Sequence, residues 1–294
     1  MTDTLTGRLD SIRTDRRQTF DRLVGTSEEH LNRMTRWGRG PADARYLFLR
    51  YSDHEEEHAH QVDHTLRTHL SWQPSKVQLL LGVMERARGE VLAALVGLTD
   101  DDLDVAPVEP AGEWPLRRIL AHLVAVEHSY RINTLYAINQ FRNGEPHGDL
   151  PGNNDPAPWI DLTLSSLLTE LDAARTRTIA EIAGVSDEVL HAPAVWGGIT
   201  VDVNFRLMRF SHHEREHAAH IQKWRVQTGK HQTDAQRLLG LAWQSHGLLR
   251  SHLAGVPDDV YLADPGNGEW SIQQALEHIH EADEFFARMI HAAK

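Results

Sequence analysis

The chain has 294 residues, 40% hydrophobic and 24% charged, a composition that supports real cores and about two domains of ordinary size. Its formal charge of −12 argues against nucleic acid or an anionic membrane surface as the main partner, because phosphate binding needs a basic face. Without cysteine it has no disulfide, no thiolate zinc site and no cysteine nucleophile, whereas its 20 histidines call for a search for ligand spacing.

In chain order, Met1-Thr2-Asp3-Thr4-Leu5-Thr6-Gly7-Arg8 lacks the apolar core of a signal peptide, and no apolar run approaches the ~20 residues of a membrane span. A soluble cytoplasmic protein is the expectation. Apolar residues recur at spacings of three and four throughout, and no long alternating run suggests a strand. Clusters of Gly, Pro, Asn and Asp mark loops at Trp37–Pro41, Trp72–Pro74, Val108–Gly112, Asn143–Pro146, Gly152–Pro156, Trp196–Gly198 and Asp264–Gly268. What lies between them reads as roughly eight long helices.

These elements repeat. Arg50-Tyr51-Ser52-Asp53-His54-Glu55-Glu56-Glu57-His58-Ala59 aligns without a gap on Arg209-Phe210-Ser211-His212-His213-Glu214-Arg215-Glu216-His217-Ala218, 159 residues later. Upstream, Gly25–Glu29 with Leu31 and Trp37-Gly38 parallels Gly184–Glu188 with Leu190 and Trp196-Gly197 at the same offset. Leu80-Leu81-Gly82 weakly matches Leu238-Leu239-Gly240. Gly112-Glu113-Trp114-Pro115-Leu116 opens a helix containing His122, and Gly268-Glu269-Trp270-Ser271-Ile272 opens one containing His278, 156 residues on. Pro115 suits a first helical turn, and Ser271 with Gln274 resembles a capping box.

Numbering the helices of one unit first to fourth, residues 76–228 contain all four in order. Residues 1–70 contain only a third and a fourth, and residues 233–294 only a first and a second. The expected fold is all-α: two up-down-down-up four-helix bundles, one continuous and one assembled from the terminal segments, like a circular permutation. Either half alone exposes a large apolar face, which soluble proteins avoid. Pairing of the halves between two chains of a homodimer satisfies the same logic as pairing within a monomer.

Each repeated helix carries two histidines at i and i+4, on one face. His122 shares a helical stripe with Ile119, Leu123 and Val126, and His278 shares one with Ala275, Ile279 and Ala282. In the continuous bundle His122 can therefore meet His213 and His217, and in the split one His278 can meet His54 and His58. Three imidazoles leave coordination positions open, the pattern of a catalytic metal site rather than a closed structural one. A lone histidine on an apolar stripe is ordinarily a core residue bonded to a carbonyl. Here the same three positions recur while neighbours diverge, Val124 against His280 and Asp53 against His212. That favours a divalent transition metal, zinc first, with nickel or iron as alternatives. His213–His217 and His54–His58 also fit H-E-x-x-H, the zinc-protease helix, with Glu214 or Glu55 as general base. The extended form is missing after His217, and a zinc hydrolase is the third-placed reading.

The Glu113-Trp114-Pro115 opening before His122, with the run holding His213-Glu214 and His217, resembles the DinB/YfiT-like superfamily of four-helix bundles. The resemblance covers about 76–228, and the split unit by extension. It implies His122, His213 and His217 as one ligand set and His278, His54 and His58 as another. Members bind zinc, nickel or iron. Several are thiol-dependent S-transferases, or isomerases such as the mycothiol-dependent maleylpyruvate isomerase, and one branch forms a domain of ergothioneine synthases. The half–whole–half arrangement departs from the family pattern.

The resemblance thus implies a metal-dependent enzyme that activates a low-molecular-weight thiol against a small-molecule substrate. The rival is a non-catalytic metal-stabilised scaffold or small-ligand binder, with a fourth ligand drawn from His60, His64, His212, His220 or His280. Glu214 can orient ligands, while Glu216 reads as solvated surface. Arg50 and Arg209, one turn before each histidine pair, can hold an acidic group but read first as surface residues. The recurring pairs Trp37/Trp196 and Trp114/Trp270 read as core packing.

Overall fold

The computed structural model describes residues 4–109, 112–146, 150–266 and 268–293. Pro110, Ala111 and Asn267, in two of the expected loops, lie outside the described residues. The described chain is all-α apart from two short hairpins. Its long helices are α1 (Leu5–Leu23), α3 (Ala44–His64), α4 (Lys76–Leu95), α5 (Leu116–Asn143), α6 (Leu164–Ile182), α7 (Val203–Thr228), α8 (Asp234–Leu253) and α10 (Ile272–His291), with the short α2 (Glu28–Leu31) and α9 (Asp258–Tyr261) between them. No helix among the described residues is long and apolar enough to cross a membrane.

The helix ends follow from local chemistry. Thr4, Asp43, Thr163 and Asp202 each accept a hydrogen bond from a backbone N–H in the first turn of the helix they open. Thr233 with Gln236, and Ser271 with Gln274, form reciprocal capping boxes. Pro115, with no N–H to satisfy, is the N-cap of α5. Gly144 and Gly229 close α5 and α7 in the left-handed conformation, which costs a residue without Cβ little.

The hairpins join β1 (Met34–Trp37) to β2 (Gly40–Asp43) and β3 (Pro193–Trp196) to β4 (Ile199–Asp202), both antiparallel. The Trp-Gly segments expected to be plain loops are the turns of these hairpins. Four-residue strands are too short to show a period of two, which is why the pattern concealed them. Gly197 and Gly198 both have positive φ, as a tight two-residue hairpin turn requires. Each hairpin ends on the aspartate that caps the following long helix, α3 or α7.

The chain divides into two compact units. The first comprises residues 1–73, 92–97 and 232–294. In it α3 packs on α8 and α10, and α1 packs on α10. Its core joins residues from both ends of the chain: Leu5, Leu9 and Ile12 pack with Val62, Leu249, Tyr261, Ile272 and Leu276. The second comprises residues 74–91 and 98–231, with α5 packed on α6 and α7. Ile119, Leu120, Leu167, Leu207 and Trp224 are fully buried in it. Burial of such side chains contributes roughly 1.5–3 kcal/mol each.

Candidate metal centres

In the first unit His54 and His58 project from one face of α3, and His278 from α10. Their Nε2 atoms converge: His54 to His278 is 3.0 Å and His58 to His54 is 3.3 Å. In the second unit His213 and His217 project from α7 and His122 from α5, with His122 and His217 each 3.1 Å from His213 between Nε2 atoms. In each triad one ligand atom per residue lies within 4.8 Å of the others, so each can hold a metal ion. The triads bring together all six histidines singled out by spacing. None of His60, His64, His212, His220 or His280 joins either group. His280 is bonded to Asp15, and His212 lies between Arg209 and Glu216.

The donor chemistry suits a cation. Burial and the neighbouring imidazoles push His54 down to about 4, and His213 and His217 to about 3. Burial also lowers His122 and His278. Neutral imidazoles offer lone pairs, and three of them in contact have no hydrogen-bond pattern that satisfies every nitrogen. His58 shows how one is aimed. Its Nδ1 lies 2.7 Å from Gln61 Oε1, which can only accept, so Nδ1 carries the proton and Nε2 keeps its lone pair toward the triad. His220 occupies the position of Gln61 in the second unit, and there the buried His217 Nδ1 has no hydrogen-bond partner.

Aromatic walls flank both triads. Trp114 meets His122 edge-on at 5.2 Å and stacks on His217 at 6.4 Å, while Trp270 stacks on His58 at 5.7 Å and meets His278 edge-on at 5.0 Å. The expectation that these tryptophans are core packing is corrected: Trp270 is 38% exposed, and Trp114 is half-buried against imidazoles. Trp37 and Trp196 are likewise half-buried, and Arg50 and Arg209 lie over their rings. These two arginines pair with Glu57 and Glu216 respectively.

Behind each triad lies a buried charge cluster that residue-by-residue reading missed. In the first unit Arg16, fully buried, bonds Glu55 at 2.6 Å and Asp283 at 2.8 Å, and His246 Nδ1 lies 2.9 Å from Glu55. In the second, Arg175 bonds Glu127 at 2.9 Å, Glu85 at 3.2 Å and Glu214 at 3.1 Å, while Arg88 reaches Glu214 at 2.6 Å. Burial pushes Glu55 up, but Arg16 and His246 together hold it below the ordinary glutamate value. Burial likewise opposes ionisation of Glu127, and Arg175 overcomes it. The signal was present: Arg16/Arg175 and Glu55/Glu214 share the 159-residue offset, and Glu127/Asp283 share the 156-residue one. Glu55 and Glu214, the bases required by the hydrolase reading, are both committed to buried arginines.

The family model of the DinB superfamily matches residues 84–221, a stretch that contains His122, His213 and His217 but none of the first unit's triad. No curated protein and no solved structure matches the chain.

Proposed function

We propose, for a chain whose residues 84–221 belong to the DinB superfamily, that both triads are metal centres and that the protein is a metal-dependent enzyme acting on a small molecule. The observation that carries the reading is the convergence, twice, of three imidazole Nε2 atoms with no carboxylate among them. His122, His213 and His217 would hold one ion, and His54, His58 and His278 the other. A divalent transition metal, zinc first and nickel or iron after it, supplies Lewis acidity and lowers the pKa of a bound thiol or water. Within the superfamily resemblance, a thiol-dependent S-transfer or isomerisation is the reaction class, with the thiol brought by a cofactor because the chain has no cysteine.

The chain's own residues do the rest. Trp114 and Trp270 cover one side of each triad and restrict water there. The arginine–carboxylate clusters fix the two ligand-bearing helices of each unit. The repeated offsets support an origin of the two units by duplication, one of them split in the manner of a circular permutation. The test is elemental analysis of the purified full chain. Two metal ions per chain are expected, and one after His213→Ala or His278→Ala. Turnover with mycothiol or bacillithiol and an electrophile panel then separates enzyme from scaffold. Absence of bound metal in the wild type, with added zinc failing to bind, overturns the reading.

A further inference from the structure

The two units share a triad but differ beside it. Beside His213 the second unit places Tyr130, and further along the same two helices Arg206 and Thr134 meet each other. At the corresponding repeat positions the first unit has Phe286, Leu47 and Ile290, all buried hydrocarbon. Arg206 is 2% exposed. Its Nη1 donates to the Val195 carbonyl at 2.6 Å and its Nε to Thr134 Oγ1 at 3.4 Å. No carboxylate meets it among the described residues, and Nη2 makes no hydrogen bond. The other arginines buried near the triads, Arg16, Arg88 and Arg175, all have carboxylate partners. A guanidinium taken out of water without an anion is costly, and burial lowers Arg206 to about 10.

Arg209 approaches the same place. Both guanidinium carbons sit over the Trp196 ring, at 5.8 Å for Arg206 and 5.0 Å for Arg209. Glu216 at 3.2 Å balances the charge of Arg209, yet the Arg209 Nε is buried and without a partner. The Tyr130 ring lies 4.9 Å from that of Trp196 and 5.6 Å from that of His213, between the two arginines and the triad. One face of α7 therefore carries, in successive turns, Arg206, Arg209 and His213. The local sum is one uncompensated positive charge, with unfilled N–H donors next to a triad.

We infer that Arg206, Arg209 and Tyr130 form an anion subsite in the second unit that takes the carboxylate of a small organic acid, with the rest of the acid directed to His122, His213 and His217. The inference rests on the small-molecule reading of the triad given above and names its substrate class. A carboxylate matches the single surplus charge and the flat N–H array of a guanidinium, whereas a phosphate dianion over-compensates it. The first unit, with Leu47 and Phe286 in these places, has no such subsite. The two centres thus take different ligands.

Calorimetric titration of the full chain with succinate, and separately with inorganic phosphate, tests this. One succinate per chain is expected, with phosphate weaker. Arg206→Leu, which installs the residue of the first unit, is expected to weaken succinate at least tenfold. If that variant does not fold, Tyr130→Phe decides, with a loss of at least threefold. No succinate binding, unchanged binding in the folded variant, or tighter binding of phosphate overturns the inference. Zinc counted in the same samples separates the two claims. Two zinc ions without succinate binding sinks only the subsite, and succinate binding without zinc sinks only the metal reading.

Discussion

The Arg16 guanidinium lies 2.6 Å from Glu55, the residue that follows His54. The same guanidinium holds Asp283, five residues after His278, and so ties together the two helices that carry the first triad. Arg175 does this in the second unit, with Glu214 after His213 and Glu127 five residues after His122. In both, an arginine from a helix without ligands sets the register of the two helices that have them. A shift of either helix by a fraction of a turn would separate Nε2 atoms that now lie about 3 Å apart.

Replacing the fork therefore has a local and a global cost. Arg175→Met is expected to destabilise the protein by roughly 3–5 kcal/mol, since it leaves buried carboxylates without their cation. Arg175→Lys keeps the charge but loses the planar fork, and is expected to fold with weakened zinc binding in the second unit only. Arg16→Lys should do the same to the first. Urea unfolding gives the stability and competitive chelation the affinity. Native zinc affinity in a folded Arg175→Lys variant would remove the positioning role.

The glutamate of each H-E-x-x-H run gives a second check. Glu214→Gln and Glu55→Gln should both retain two zinc ions, because neither carboxylate is directed at an imidazole of its triad. Each should cost about 1–3 kcal/mol through the weakened bond to arginine. The wild type is expected to show no zinc-dependent hydrolysis of peptides. Hydrolysis that disappears in Glu214→Gln while zinc remains would restore the hydrolase reading.

The helices and the triads were legible because both rest on periodicity. His54 and His58 share a helical face by spacing alone, and the stripe of Ile119, His122, Leu123 and Val126 shows which way His122 points. The charge clusters were marked only by the repeat offsets and by nothing local, because a charged residue is read as solvent-facing unless a partner is known. Arg16 sits between Asp15 and Arg17 in a strongly polar stretch, and nothing local marks it as fully buried. Its partner Asp283 is 267 residues away. The tryptophans were misread for a related reason: an aromatic at a recurring position suits a core and a site wall equally, and only the neighbouring imidazoles distinguish them.

His246 predicts a pH dependence of stability. Burial first, then Arg16, lowers it to about 4, while Glu55 pulls the other way. Arg16, Glu55 and Arg250 are the charges acting on it, and its Nε2 is buried without a partner. The folded value is below the unfolded value of about 6.5, so the unfolded state takes up the proton first. Stability from this group is complete above about pH 6.5, and each unit of pH below that removes up to about 1.4 kcal/mol until the folded group titrates near 4. His246→Gln keeps a donor for Glu55 without titrating. It should flatten the urea-midpoint profile between pH 6.5 and 4, and an unchanged slope would show that other groups set the acid limb.

Gln61 and His220 allow a reciprocal exchange. Gln61 accepts from His58 and holds its Nε2 lone pair toward the triad, whereas at the matching position His220 leaves the buried His217 Nδ1 unpaired. Partners of this kind change metal affinity by about 10–100-fold. Gln61→Leu should accordingly weaken zinc in the first unit by that factor, and His220→Gln should tighten it in the second by supplying the missing acceptor. The variants are best measured on backgrounds with one triad removed, His213→Ala for the first case and His278→Ala for the second, so that a single site is titrated. Thermal unfolding reports the same quantity independently: at zinc one hundred times its dissociation constant the folded state gains about 2.7 kcal/mol, and chelation removes it. If His220→Gln weakens zinc instead, His220 is itself assisting the ion through its stacked contact with His217, and the second triad is supported by a fourth imidazole.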